Sequence, residues 1–266
     1  MTTLVPLQSD IYDRQYFLSE KCEGWNRFRV DNGLSPIKQG QVRGLAPAPG
    51  RRVLDAGCGR GEVLLACARA GADVAGLDYS EAAVEITKEV LAEVPDADVR
   101  RGDVTALPWA NASFDAVLFG DVIEHLDPDQ AVAAIREFRR VLRPGGTLLV
   151  HTAPNLLFLK VTWPVAKLAL RAIGRGRSAQ GLDDWIGESK AYHVNEQTVH
   201  SLRRTMRSGG FADAVAWIDP NVLRGGDHHL TEDLQASRLL ALAERIGRLR
   251  PVRMFLGNDL YAVGRA

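Results

Sequence analysis

Five short segments of this 266-residue chain carry residue types and spacings suited to holding a charged small molecule. The first is Val53-Leu54-Asp55-Ala56-Gly57-Cys58-Gly59-Arg60-Gly61-Glu62, an apolar run that opens into alternate glycines. Glycines let a backbone bend sharply and approach a ligand that side chains would block. A helix starting behind such a loop offers unpaired N–H groups to a carboxylate. The spacing is Gly-x-Gly-x-Gly, not the Gly-x-Gly-x-x-Gly of dinucleotide binders. Asp55, just ahead of the loop, would repel a pyrophosphate and suits a ligand bearing an ammonium and a sulfonium.

The second segment, Gly76-Leu77-Asp78-Tyr79-Ser80, ends in an acid placed to accept from both hydroxyls of a ribose. In the third, Arg101-Gly102-Asp103-Val104, Asp103 is placed to accept from an adenine amino group. Trp109 has two readings, a stacking platform nearby or a core or surface residue. The fourth, Phe114-Asp115-Ala116-Val117-Leu118-Phe119-Gly120-Asp121-Val122-Ile123-Glu124-His125-Leu126, puts a polar cluster at the end of an apolar run. The fifth is Leu142-Arg143-Pro144-Gly145-Gly146-Thr147-Leu148-Leu149-Val150, a turn followed by an apolar run.

These segments need a scaffold that presents them at one edge, and the hydrophobic rhythm supplies it. Strands are expected at Arg52–Asp55, Asp73–Leu77, Val99–Arg101, Phe114–Phe119 and Thr147–Thr152. Helices are expected at Glu62–Ala70, at Glu81–Leu91 with Ser80 as N-cap, and at Pro128–Val141. Strand–helix alternation at this spacing implies a parallel sheet wrapped by helices. Residues 1–50 read as short helices ending in the turn-rich Ala46-Pro47-Ala48-Pro49-Gly50, a helical cap over the site. Residues 51–266 form the main domain, with 155–192 as an insertion over the sheet's C-terminal edge. The rhythm resumes with a helix near Glu196–Ser208, a strand near Ala214–Ile218, a helix over about Thr231–Leu249 and a last strand at Leu260–Val263.

Composition narrows the class. Hydrophobic residues make up 46% and charged residues 25%, a soluble globular profile. Thirty-three basic residues balance 33 acidic ones, and no basic excess points to nucleic acid. Cys22, Cys58 and Cys67 make neither a disulfide framework nor a metal-type pair spacing. Met1–Asp10 lacks the pattern of a signal peptide, and Leu156–Ile173 is interrupted by charges and proline. A cytoplasmic protein without a transmembrane segment is the expectation.

In this order, the five segments resemble those of class I S-adenosylmethionine (SAM)-dependent methyltransferases, over about Arg51 to Asn155, in a type-11-like small-molecule domain. The resemblance implies a Rossmann-like α/β fold. Its seven-stranded, mostly parallel sheet would have helices on both faces and an antiparallel last strand. It also implies SAM as cofactor and S-adenosylhomocysteine (SAH) as product. Asp55, Gly57 and Gly59 would contact the methionine part, Asp78 the ribose, and Asp103 and Val104 the adenine. Gly120, Asp121 and Val122 would line the pocket, and Cys58, Tyr79 and Gly102 fall in the same cofactor-binding segments.

The acceptor side is more open. An aliphatic hydroxyl or carbon acid needs a base. His125 and His193, which stands in Ala191-Tyr192-His193-Val194-Asn195-Glu196, are the candidates. The alternative for each is a helix-start residue without catalytic duty. Asp121, Glu124 and His125 with a distant histidine also resemble the metal-binding set of some O-methyltransferases, among them small-RNA 2′-hydroxyl and ubiquinone-pathway enzymes. Those carry Glu where Asp121 stands, so no metal is the primary expectation. Asn155–Arg177 supplies apolar surface and the cations Lys160, Lys167, Arg171, Arg175 and Arg177. It reads as a lid over a greasy acceptor, an interfacial membrane contact, a dimer contact or a core helix, and its arginines as partners for an anionic acceptor. The aromatic segment Tyr12–Phe28 is loosely similar to enzymes that tailor natural products and sugars. The expectation is O-methylation of a small, apolar or anionic acceptor in natural-product, sugar or lipid tailoring. N- or C-transfer, an RNA 2′-hydroxyl methyltransferase and a non-catalytic SAM-binding protein remain alternatives. An NAD-dependent oxidoreductase is disfavoured by the glycine spacing.

Overall fold

Strands buried on both faces need near-continuous apolar runs, and β1 (Arg52–Ala56) meets that need with Val53, Leu54, Asp55 and Ala56 all buried. In the computed structural model, which describes residues 12–189, 193–219, 245–246, 249 and 252–266, β1 lies inside the sheet, between β2 and β4. Its companions are β2 (Asp73–Asp78), β3 (Asp98–Arg101), β4 (Phe114–Gly120), β5 (Leu142–Thr152), β6 (Val215–Ile218) and β7 (Leu260–Arg265). The order is β3-β2-β1-β4-β5-β7-β6. The first five strands pair in parallel, and β7 runs antiparallel to both β5 and β6. The seven-stranded, mostly parallel sheet with an antiparallel last strand is therefore the observed one.

Helices α1 (Arg14–Phe17), α2 (Trp25–Asp31) and α3 (Pro36–Leu45) precede the sheet, and α4 (Glu62–Arg69), α5 (Glu81–Val90) and α6 (Pro128–Val141) connect its strands. One core cluster packs the sheet against α6 through Ala131, Ala134, Ile135 and Phe138. The other packs its opposite face against α3, α4 and α5 through Leu45, Leu64, Cys67 and Val84. Side-chain caps set several helix starts. Ser80 accepts from the Ala83 amide, Ser35 from Lys38, and Asp127 forms a capping box with Gln130 ahead of α6.

The boundaries correct the sequence reading in places. The Pro144-Gly145-Gly146 turn lies inside β5, because Leu142 already pairs with Phe114 before the register shifts to Thr147 opposite Ala116. The extra residues form a bulge, with Gly145 at φ +80° and its amide bonded to the Ala266 carbonyl. His125 does not start a helix but closes a 3-10 turn (Ile123–His125), and α6 begins beyond it. The helix expected near Glu196 is α9 (Val199–Ser208), delayed by a capping box between Thr198 and Ser201. The insertion is helical, a π-helical turn (Phe158–Thr162) leading into α7 (Trp163–Ala172) and α8 (Gly176–Ser189). A short α10 (Arg253–Leu256) precedes β7. Met1–Asp10 and most of the helix expected over Thr231–Leu249 lie outside the described residues. Among the described residues, no helix is long and apolar enough to cross a membrane.

Candidate active site

Parallel pairing aligns the strand ends. Asp55 lies opposite Gly76 and Gly120 opposite His151, so the loops after β1, β2, β4 and β5 open on one edge. Because β7 is antiparallel, Leu260 lies opposite Thr152 and Asp259 comes to the same edge. The edge forms one cavity of about 1700 Å³. Its walls include Asp55, Gly57, Cys58, Gly59, Asp78, Tyr79, Gly102, Asp103, Val104, Gly120, Asp121, Val122, His125 and His193. The cofactor-side and histidine candidates from the sequence are thus brought to one place.

The glycine loop is built around backbone bonds that side chains would obstruct. The amides of Gly57 and Cys58 both donate to the Leu77 carbonyl, at 2.7 and 3.1 Å. Gly57 has φ +95°, and a Cβ there would lie 2.3 Å from a Val122 methyl, so only glycine fits. Asp78, 6% exposed, accepts from the Gly59 amide at 3.0 Å and the Ser80 amide at 2.9 Å. Burial raises its carboxyl to about 6 against the pull of those amides. Burial also pushes Asp55 well above the usual carboxylate range, and the nearby Lys38 ammonium only partly offsets it.

Arg60, a spacer in the sequence pattern, turns out to be a clamp. Its guanidinium, 1% exposed, donates to Glu62 at 2.7 and 3.1 Å, to the Phe17 carbonyl at 2.9 Å and to the Glu23 carbonyl. It also lies 4.9 Å above the Phe28 ring. Lys38 bonds the same Glu62 oxygen at 2.6 Å, and despite burial the two cations hold the Glu62 carboxyl below its ordinary value. The N-terminal helical segment is thereby tied to the glycine loop. It also carries Tyr12, whose hydroxyl lies 3.2 Å from His125 Nδ1 and whose carbonyl accepts from Ser80 at 2.7 Å.

His125 and His193 face each other with ring centroids 4.8 Å apart. The sequence separates them widely, and the backbone joins them: the Val194 and Asn195 amides donate to the Glu124 carbonyl at 2.9 and 3.0 Å. Burial and the neighbouring His125 lower His193 to about 4. Burial and the charge of Asp121 raise Glu124 to about 8, while the Thr152 hydroxyl donates to it at 2.7 Å. Glu124, His125 and His193 each offer a donor atom within 4.8 Å of the others.

Asp121 does not join that trio as the sequence pattern had it. It adopts φ +56° and meets His151 Nδ1 at 2.8 Å, and His151 Nε2 lies 3.3 Å from Asp259. His151 is buried, but the two carboxylates hold it well above the ordinary imidazole range as a cation, and it in turn keeps Asp121 low. Sequence reading missed His151, although a polar residue closing an apolar strand at the same edge as Asp121 was a signal. Asp259 and Lys38 carried none, since helix orientation and the antiparallel strand alone bring them in. Trp109 does not stack in the cavity. Its indole donates to Asp98 at 2.7 Å and its ring packs edge-on against Phe114, 5.4 Å between centroids. Among the described residues of the insertion, Gly181 and Asp184 of α8 reach the cavity wall, and Lys160, Lys167, Arg171, Arg175 and Arg177 do not. They are therefore not placed to meet an anionic acceptor as the sequence reading allowed.

Comparison with known proteins agrees with this geometry. Residues 53–146 match the family model of a methyltransferase domain. A ubiquinone biosynthesis O-methyltransferase from Paracidovorax citrulli is 36% identical over 141 residues, 50% of this chain and 58% of that protein. A probable S-adenosylmethionine-dependent methyltransferase from Mycolicibacterium smegmatis is 46% identical over 109 residues, 41% of this chain and 40% of that protein. The matched regions span only about half the length of these relatives. Among solved structures, a SAM-dependent methyltransferase from Archaeoglobus fulgidus superposes with a TM-score of 0.56 at 18% identity. That match covers 86% of this chain and 93% of that one, and it shows the shared fold.

Proposed function

We propose, from a chain whose residues 53–146 match a methyltransferase-domain model, that this protein is a SAM-dependent methyltransferase that transfers the methyl group to a hydroxyl of a small-molecule acceptor. The observation that carries the reading is the single cavity joining the glycine loop and Asp78 to the His125–His193 pair. The residues present fit the cofactor. The loop keeps its backbone bare, since a Cβ at Gly57 would clash with Val122 and Gly59 sits at φ +51°, and a buried acid stands at the end of β2. When bound, SAM supplies a methyl group already activated on a sulfonium. Asp78 would hold the ribose, Asp103 and Val104 the adenine, and Asp55 with the glycine loop the methionine end. Asp121, kept anionic by His151, would face the same cationic region.

The remaining work is to orient the acceptor, exclude water and remove its proton. His193, lowered to about 4, is neutral at pH 7, so it offers the acceptor an unprotonated nitrogen that is a weak base in the free protein. His125, held by Tyr12, would position the acceptor opposite it. A base is needed for a hydroxyl and hardly for an amine, which supports O-transfer. The cavity mouth carries Asp13, Glu20, Asp127 and Asp184 against Lys21, which favours a neutral acceptor over an anionic one. Natural-product, sugar or lipid tailoring is the setting we assign, with residues 12–50 as cap and α8 as the inner wall of the lid.

His193→Ala is expected to lower kcat by about 100-fold or more, the usual share of a general base, with SAM affinity unchanged. Steady-state assays of SAH release over phenols, catechols, sugars and amines measure it. An unaltered kcat on the best acceptor would remove His193 from the mechanism. A metal-assisted reading is favoured by one observation, the convergence of Glu124, His125 and His193 donors. Those groups would hold Mg²⁺ or Mn²⁺ as a Lewis acid for the acceptor oxygen. Calorimetric titration with Mn²⁺ decides it: binding lost in His193→Ala supports the metal, and no binding leaves the base.

Asp78 makes cofactor binding pH-dependent. Its ionised form accepts from hydroxyls, and its protonated form gives up that capacity. With the carboxyl at about 6 in the free protein, SAH affinity should be level above pH 7. It should then weaken as pH falls through 6, approaching about tenfold per pH unit. Calorimetry from pH 8 to pH 5 is the check, and a flat profile would show that Asp78 ionisation is not linked to binding.

A further inference from the structure

The inner side of the insertion is accounted for. Phe158 and Trp163 are buried against Ala179 and Ile186 of α8, and Asp183 is taken up by the Trp163 indole, Lys167 and Arg171. Among the described residues, the outer side is not. Val161, Val165 and Leu168 recur at helical spacing and are 47%, 68% and 72% exposed, and Ile173, just past the end of α7, is 54% exposed. The Thr162 hydroxyl bonds the Phe255 carbonyl at 2.6 Å, which sets α10, with Met254 and Phe255 both exposed, beside the start of the stripe. Exposed apolar surface of this extent marks a contact site.

Its charge surroundings say what kind. The chain as a whole is balanced, yet from Phe138 to Leu182 it contains no aspartate or glutamate. Exposed Lys160 stands at one end of the stripe, and exposed Arg171 and Arg177 stand toward the other. A helix with apolar residues outward and cations at its flanks seats its apolar face at the headgroup boundary while the cations meet phosphates. The mean surface of a protein partner would not call for so long an acid-free run.

We infer that the outer face of α7, extended by α10, docks on the surface of an anionic phospholipid bilayer. The contact is peripheral, because no described helix crosses a membrane. It does not depend on the acceptor chosen above. If that reading also holds, α8 joins the docked face to the cavity, since its Gly181 and Asp184 line the wall while its other side carries α7. An amphiphilic acceptor would then reach the site along the lid.

The test uses the full chain and sedimentation with two kinds of vesicle, phosphatidylcholine alone and phosphatidylcholine mixed with phosphatidylglycerol. Binding to the mixed vesicles, weakened by high salt, is expected, with little on phosphatidylcholine alone. Val165→Asp with Leu168→Asp should cut binding by at least roughly tenfold without moving the melting temperature, because both side chains are exposed. Lys160→Gln with Arg171→Gln should cost roughly fivefold per cation, and this pair decides the matter if the first variant folds poorly. Absence of binding to the mixed vesicles, equal binding to both kinds, or full binding by both variants overturns the proposal. So does a dimer that Val165→Asp/Leu168→Asp dissociates while vesicles stay unbound, which would assign the face to a second copy of the chain.

Discussion

Asp78→Ala is expected to weaken SAM and SAH binding by about 10²- to 10⁴-fold, from two hydrogen bonds to a charged acceptor at about 1.5–3 kcal/mol each. The carboxylate lies at the end of β2 with both oxygens facing the glycine-loop region, one on the Gly59 amide and one on the Ser80 amide. Each oxygen keeps a lone pair for a ribose hydroxyl. The substitution therefore removes the sugar's acceptors and slackens the loop that receives the rest of the cofactor. Asp78→Asn retains one acceptor oxygen and should fall between wild type and alanine. Calorimetry with SAM, SAH and, as a control, NAD measures all three proteins. Binding by Asp78→Ala within about threefold of wild type would mean that the β2 acid is structural.

The largest expected effect on stability is at Arg60. Arg60→Ala strips Glu62 of one of its two cations and leaves the Phe17 and Glu23 carbonyls without their donor. Removing one partner of a buried ion pair costs about 3–5 kcal/mol, because the remaining charge stays buried. That is a large share of the roughly 5–15 kcal/mol that holds a domain folded. Arg60→Lys keeps the charge but not the planar fork that reaches several acceptors at once, so it should recover only part of the loss. Urea denaturation of the three proteins gives the values. Limited proteolysis should show early cleavage between Tyr12 and Glu23 in the alanine variant, since that segment loses its tie to the loop. A loss below about 1 kcal/mol would place Arg60 among ordinary surface cations.

The two residues differ in how they could be recognised. Asp78 was legible as a candidate ligand-binding acid because it closes a buried apolar run at the edge where the glycine loop also opens. Arg60 carried no such mark: in the sequence it occupies an x position between Gly59 and Gly61, and besides Glu62 its acceptors are main-chain carbonyls far off in the chain. Backbone acceptors leave no residue pattern to read.

By itself the sequence determined the parallel strands of the sheet and the strand ends at which the cofactor-side candidates stand, while their order in the sheet came only with the structure. Apolar runs, caps and glycines are local signals, and parallel pairing turns equal run lengths into aligned strand ends. The sequence also supplied Asp121, Glu124 and His125 with a distant histidine as a candidate set, while the tertiary structure decided which of them meet. Two amides bonded to the Glu124 carbonyl bring His193 to His125, and the antiparallel β7 brings Asp259 to His151, which draws Asp121 away from the histidine pair. The insertion was legible as apolar and basic, yet only packing against α8 showed that its apolar side is double and that its cations lie outside the cavity. These are contacts between distant parts of the chain, set by topology and the burial of whole faces. No local spacing of residue types encodes them.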